Sequence, residues 1–213
     1  ERTLKLYVAA VSDAADEVGL SPVCMDREIK PITKNHRMAG FARTGKLVRT
    51  PPNRPYDEGQ LDLFMSLATK AEAGDIVCIT SSGATDCSVW GQVLTRIGVP
   101  LGLNGAVVDG TSRDIQDINK MNFPVFARGR HPGTMRGRLD MESVGEPITC
   151  GGVRVAMGDL IFADGDGVVA IAKDRIEEVL TAAEEVVSTD VWWADKLDEG
   201  EDPHEMHKEK PIP

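Results

Sequence analysis

No apolar run in the chain approaches the ~20 residues that a bilayer-spanning helix requires, so neither a transmembrane segment nor a membrane partner is expected. The opening residues, ERTLKLY, also lack the charged-then-apolar pattern of a secretory signal. Cysteine is sparse: Cys24, Cys78, Cys87 and Cys150 form no C-x-x-C pair, and Cys78 lies inside the apolar run DIVCIT. That usage predicts buried free thiols in a reducing cytoplasm rather than disulfides or a zinc site. Histidine is equally scarce. His36, His204 and His207 lie away from the informative middle of the chain and only His131 lies near it, so no histidine-rich metal site is expected. The absence of a G-x-S-x-G elbow removes support for a serine hydrolase. Basic residues are in deficit, 24 Lys and Arg against 34 Asp and Glu. A net charge of −10 repels phosphate backbones, so nucleic acid is not an expected partner.

What is present has the composition of one globular domain: 213 residues, 41% of them hydrophobic, enough for a sizeable core. Apolar spacing from Leu4 to Val18 predicts a helix, stopped by Gly19 and Pro22. Residues 23 to 50 read as extended, Pro51, Pro52, Asn53 and Pro55 as a loop, and Gln60 to Ala71 as a helix. IVCIT is a buried strand, followed by the small-residue turn Ser81-Ser82-Gly83. A helix carrying Trp90, Val93, Leu94 and Ile97 comes next, and then a second buried strand from Asn104 to Gly110. This strand–helix–strand order predicts a β-α-β unit, in which polar residues beyond strand ends commonly form sites. SRDIQDINK reads as a short helix and PVFAR as a third strand. Beyond Val144, GEPIT, VRVAMGDLIFA and VVAIA are short strands, and Arg175 to Ser188 is a closing helix. Strands with helices on their flanks, rather than in strict alternation, predict an α/β or α+β domain of layered sheets flanked by helices. A single domain is expected over 1–190. A tail follows over 191–213, docked at its start by Trp192-Trp193, and its polar, acidic and Pro-punctuated residues 198–213 would be loose in a monomer.

Several near-motifs fail on context. Gly40-Phe-Ala-Arg-Thr-Gly45-Lys46-Leu47 resembles a phosphate loop, but Leu47 replaces the magnesium-binding hydroxyl and VRTPP cannot open the required helix. Gly165-Asp-Gly167 has dinucleotide glycine spacing, yet a strand follows it, and Asp164-Gly-Asp166-Gly reads better as a hairpin turn than as a calcium loop. The basic cluster Arg128, Arg130, His131, Arg136 and Arg138 could hold an anion, although a solvated or interface loop is the preferred reading.

One constellation survives. Trp90-Gly91-Gln92-Val93-Leu94 stands near a helix start, and Asp109-Gly110-Thr111-Ser112-Arg113-Asp114-Ile115-Gln116-Asp117 follows a strand. A carboxylate can bind a hard divalent cation, a guanidinium can grip a carboxylate or carbonyl with two donors, and first-turn amides can hold an anion. The competing account of Arg113 and Asp114 is a surface pair capping a helix, and spacing alone favours it.

These stretches resemble the signature of the 4-hydroxy-4-methyl-2-oxoglutarate / 4-carboxy-4-hydroxy-2-oxoadipate aldolases of the RraA-like superfamily. Supporting stretches are VSDAADEVG, MAGFART, PVFARG and GGVRVAMGDLIFADGDGVV, so the resemblance runs from about Val8 to Ile171. It implies a swivelling β/β/α domain assembled as a homotrimer or hexamer with sites between subunits. Asp114 would be the direct ligand of Mg2+ or Mn2+, Arg113 would bind the 2-oxo acid, and Gly91, Gln92, Val93 and Leu94 would supply backbone donors. Gln92 and Asp117 would stand behind the metal. The implied reaction is class II cleavage of a 4-hydroxy-2-oxo dicarboxylic acid to pyruvate and a second oxo acid, with oxaloacetate decarboxylation through the same enolate. The ribonuclease regulator of the superfamily lacks the Asp after the Arg, and this chain keeps it. The chain departs from the pattern at Gln92, where many of the aldolases carry Asp or Glu. A non-catalytic protein-binding regulator, or a member that binds an oxo acid without turning it over, is the alternative.

Overall fold

Apolar strands buried on both faces, with successive side chains pointing to opposite sides, build the centre of the molecule. In the computed structural model, which describes residues 5–51 and 57–211, the elements are, in chain order, α1 (Val8–Glu17), β1 (Lys30–Pro31), β2 (Met38–Arg49), α2 (Glu58–Thr69), β3 (Asp75–Thr80), β4 (Ser88–Trp90) and α3 (Gln92–Gly98). There follow β5 (Gly105–Ser112), α4 (Ile115–Lys120), β6 (Val125–Arg130), β7 (Leu139–Val144), β8 (Ile148–Cys150), β9 (Val153–Val155), β10 (Leu160–Asp164), β11 (Gly167–Ile171), α5 (Ile176–Asp198) and α6 (Pro203–Glu209). The main sheet has the order β1-β6-β5-β3-β2-β10-β11. Strands β2, β3, β5 and β6 are mutually parallel, and β10 and β7 run antiparallel along the two halves of β2.

The sheet curls until its edges nearly meet. Met25 N donates to Val168 O at 2.9 Å and Ala170 N to Val23 O at 3.0 Å, so the segment before β1 lies along β11, while β1 itself pairs with β6. One short stretch of chain thus bridges both edges, and the unpaired backbone groups of an open sheet are largely covered. Inside, Ile76, Cys78, Val107, Phe126, Ile161 and Val168 form one core, closed at its end by Ile148, Cys150, Val153 and Val155 of the β8–β9 hairpin. Their sequence neighbours point outward. Val77, Ile79, Val108 and Ala127 face residues of α2, α3 and α4, and Leu160, Phe162, Val169 and Ile171 face α1 and α5. Both faces of β3 are buried, which is why DIVCIT is a continuous apolar run and not an alternating one. Truncating the fully buried Phe126 to Ala would cost about 3–5 kcal/mol.

Several boundaries differ from the sequence expectation. The first helix begins at Val8, whose N–H is taken by Asp164 Oδ2 at 2.8 Å; its expected start at Leu4 lies outside the described residues, as do Pro52, Asn53 and Pro55 of the expected loop. Trp90 is on strand β4, paired with β5, and not in the helix that follows. Strand β7 was not expected at all. The final helix runs ten residues beyond Ser188, through both Trp192 and Trp193 and across the 190/191 boundary. The tail is ordered through Lys210: Asp202 accepts from His204 N at 2.7 Å to start α6, Met206 is buried, and Trp193 Nε1 donates to Lys210 O at 3.0 Å. Cys78, Cys87 and Cys150 are buried free thiols as expected, whereas Cys24 is exposed on the bridging segment, its Sγ 3.1 Å from Ser12 Oγ. The hairpin turn falls at Gly165-Asp166, between the paired Asp164 and Gly167.

Candidate functional site

Strand β5 ends at Ser112 and α4 begins at Ile115, so Arg113 and Asp114 form the turn beyond the carboxyl end of a parallel strand. Asp114 takes φ 60°, ψ 32°, the left-handed region that few residues other than Gly, Asn and Asp enter readily. Strand β4 lies alongside and runs through Gly91 into α3. Two bonds fasten the crossing: Arg113 N donates to Trp90 O at 3.0 Å, and Ser112 Oγ donates to the same carbonyl at 3.1 Å. Gln92 N then donates to Asp114 Oδ2 at 3.3 Å. The carboxylate lies so close over Gly91 that a Cβ there would come within 2.8 Å of Asp114 Oδ2. Gly91 has extended φ and ψ, so the need for glycine comes from this approach and not from the backbone angles.

Arg113 Nε sits 3.8 Å from Asp114 Oδ2, and its Nη1 reaches Pro132 O at 3.5 Å. Both side chains are partly exposed and face a cavity of about 480 Å³. Gly91, Val93, Leu94, Arg113 and Asp114 line it together with Trp90, with Gln60, Leu61, Phe64 and Met65 of α2, and with Thr134, Met135, Arg136, Leu139 and Asp140. Most of that wall is apolar, so a charge inside it is less screened than one at the open surface.

Two of the expected side chains point elsewhere. Gln92 Oε1 accepts from Arg96 Nε at 3.3 Å, so Gln92 meets Asp114 through its backbone alone. Asp117 pairs with Lys120 at 2.8 Å, and the hydrogen bond from that ammonium holds the carboxyl below its usual range. The basic cluster divides. Arg128 binds Asp26 and Asp109, Arg130 donates to Ile32 O, Arg138 donates to Thr134 O, and Arg136 joins the cavity wall. His131 is held by the backbone, its Nδ1 accepting from Gly133 N at 3.0 Å. The contributions of α2 and of residues 134–140 were missed. Their only signal in the sequence was an amphipathic helix and a basic loop, and neither says which cavity it will wall.

The RraA-like family, described as Aldolase/RraA, matches residues 8–170, a span that holds every cavity residue named above. The chain belongs to the Aldolase/RraA family. Its nearly closed sheet flanked by helices is the expected swivelling β/β/α fold. A Halalkalibacterium halodurans protein named "Putative 4-hydroxy-4-methyl-2-oxoglutarate aldolase" is 32% identical over 180 residues, 84% of this chain and 79% of that one. Protein DlpA of Legionella pneumophila is 31% identical over 175 residues, 81% of this chain, and the match spans only 27% of DlpA. The crystal structure of an uncharacterized protein from Pseudomonas syringae pv. tomato aligns with a TM-score of 0.81 at 27% identity, covering 95% of this chain and 92% of that one. Among the described residues, no helix is long and apolar enough to cross a membrane, and no three His, Cys, Asp or Glu side chains are grouped to share an ion.

Proposed function

We propose that this member of the Aldolase/RraA family is a divalent-metal-dependent carbon–carbon lyase. It would cleave a 4-hydroxy-2-oxo dicarboxylic acid to pyruvate and a second oxo acid, and would decarboxylate oxaloacetate. The observation that carries the reading is the placement of Asp114, held over Gly91 by the Gln92 amide, beside Arg113 and facing the cavity. A lone carboxylate fits Mg2+ or Mn2+, because such ions keep several waters and need only one or two protein carboxylates besides the substrate's oxygens. When bound at Asp114, the ion would supply Lewis acidity to the oxo acid. Arg113 would grip the 2-oxo acid with its planar fork and stabilise the negative charge of the pyruvate enolate as the carbon–carbon bond breaks. The amides of Val93 and Leu94, in the first turn of α3 and without intrahelical acceptors, would receive the substrate carboxylate. The Gln92 amide is engaged by Asp114 and is not available for that task. Water in the cavity would accept the proton of the 4-hydroxyl.

We further propose assembly as a homotrimer or hexamer, with an acidic residue of a neighbouring tail completing the site. Val93, 63% exposed beside the cavity, supports it, since a large apolar side chain at a cavity rim gains from being covered. The test is a coupled pyruvate-release assay with a panel of 4-hydroxy-2-oxo diacids and oxaloacetate, with and without magnesium. Metal-dependent pyruvate from any of them supports the lyase. Silence across the whole panel favours a protein-binding regulator instead.

A further inference from the structure

Behind the cavity wall a line of hydrogen bonds runs from the lining residue Trp90 through Thr95, which does not line the cavity, to the carbonyl of the lining residue Gly91. Trp90 Nε1 donates to Thr95 Oγ1 at 3.0 Å, and Thr95 Oγ1 lies 3.1 Å from Gly91 O. Trp90 and Thr95 are both buried. The direction of the line is fixed by chemistry. An indole N–H can only donate, so Thr95 accepts there and its single hydroxyl proton goes to the Gly91 carbonyl. That carbonyl belongs to the same planar peptide as the Gln92 N–H, so holding one end sets the aim of the other. The other end is the amide that donates to Asp114 Oδ2.

A threonine bonding back to the carbonyl four residues earlier is common in helices and usually has no consequence for function. Mid-helix, the N–H of the bonded peptide is already committed to the helical ladder. Here the peptide is the first of α3, and its N–H has no intrahelical acceptor. Its direction is therefore open to control by whatever grips the carbonyl. Thr95 grips it twice, through its hydroxyl and through its own N–H at 3.3 Å, and the indole holds the hydroxyl oxygen from behind. We propose that Thr95 is a positioning residue: through the Gly91–Gln92 peptide it aims the Gln92 amide at Asp114 and fixes that carboxylate at the cavity wall. The aiming stands on the hydrogen bonds alone. Its consequence for turnover rests on the function proposed above.

The experiment compares full-length Thr95→Val, which keeps the shape and loses the hydroxyl, with Thr95→Ser, which keeps the hydroxyl. Nitrogen-15 spectra report the Trp90 indole resonance and hydrogen exchange at the Gln92 amide, and the pyruvate assay reports kcat and KM separately. In Thr95→Val the indole resonance should move, the Gln92 amide should exchange about tenfold faster, and kcat should fall about tenfold at little changed KM, the loss of one hydrogen bond's worth of restraint. Thr95→Ser should restore all three. An unchanged Gln92 amide in Thr95→Val overturns the inference, and so does a loosened amide with undiminished kcat. If Thr95→Val does not fold, Thr95→Ala against Thr95→Ser asks the same question, since those two differ only in the hydroxyl. If the wild type releases no pyruvate from any substrate, the lyase reading falls and the amide exchange alone decides whether Thr95 aims the peptide.

Discussion

Replacing Gly91 with Ala should damage the chemistry far more than the fold. The new methyl would sit 2.8 Å from Asp114 Oδ2 and 3.4 Å from Arg113 Cγ. Carbon–oxygen contacts settle near 3.3–3.6 Å, so the carboxylate would have to retreat by about 0.5 Å or more. It is the end of a short side chain and can do so. The retreat would stretch a Gln92 N···Oδ2 separation that is already 3.3 Å, beyond useful hydrogen bonding. The backbone raises no objection, because Gly91 is extended at φ −171° and ψ −173°. The folding cost is therefore about 1 kcal/mol, a fall of roughly 2–4 °C in Tm. A misplacement of ~1 Å at a reacting group costs on the order of 10²-fold in rate, so half that shift should lower kcat/KM by about tenfold. The assay couples pyruvate release to NADH oxidation by lactate dehydrogenase, with thermal melts of the same preparations. Gly129→Ala is the control, since a Cβ there meets nothing within 4 Å. A Gly91→Ala enzyme with normal kcat/KM and normal Tm would refute the claim that Asp114 must lie where the structure puts it.

Asp114→Asn should abolish turnover as a chelator does, with magnesium restoring only the chelated wild type; an active Asn variant would remove Asp114 from the chemistry. Arg113→Lys keeps the charge but loses the two-donor fork, so kcat/KM should drop at least tenfold, and near-normal kinetics would make Arg113 structural only. Arg128 joins Asp26 and Asp109 at 2.8 and 2.5 Å, so Arg128→Met should cost about 2 kcal/mol by taking the counter-ion from Asp109, whose other oxygen keeps the Gly151 amide; an unchanged denaturation midpoint would contradict this. Burial, and then the hydrogen bond to Asp190, push the Tyr7 hydroxyl from its ordinary 10.0 up to about 12. A raised pKa gives stability that is full below pH 10 and is lost between pH 10 and 12. Wild type should weaken across that window more steeply than Tyr7→Phe, and parallel profiles in urea titrations would show that the bond contributes nothing.

The parts of the fold that announced themselves were those whose burial is one-sided or complete along a single element. DIVCIT, buried on both faces, and α2, with one buried stripe, each carry their surroundings in their own spacing. Trp90 was misplaced because its environment is set elsewhere: β4 is three residues long and is held by distant partners, β5 on one side and the Gly133–Thr134 segment on the other. Strand β7 was missed for a similar reason, since LDMESV alternates weakly and is held by β2. The start of α6 was legible and overlooked. Asp202-Pro203-His204-Glu205 is an N-cap, a proline at the first helical position and an acid in the first turn. Within the site, Arg113 and Asp114 stood out by composition. The direction of the Gln92 side chain did not, because a first-turn glutamine can turn either to the cavity or to Arg96, and only the helix's register with its neighbours decides.

The layer formed by α1 and α5 has a cost in time during synthesis. Val8 N bonds Asp164, 156 residues further along, and the residues facing α1 come from β10, β11 and α5. At about 5–20 residues per second, the newly emerged α1 waits roughly 8–30 s on the ribosome before its docking surface exists. Throughout that interval Val8, Val11, Ala14 and Ala15 have no native cover. Closing so long a loop is also an entropic barrier that local helix formation cannot lower. A nascent chain stalled before β10 should therefore present α1 as an apolar strip open to chaperones and proteases, and release of the completed α5 should be the event that hides it.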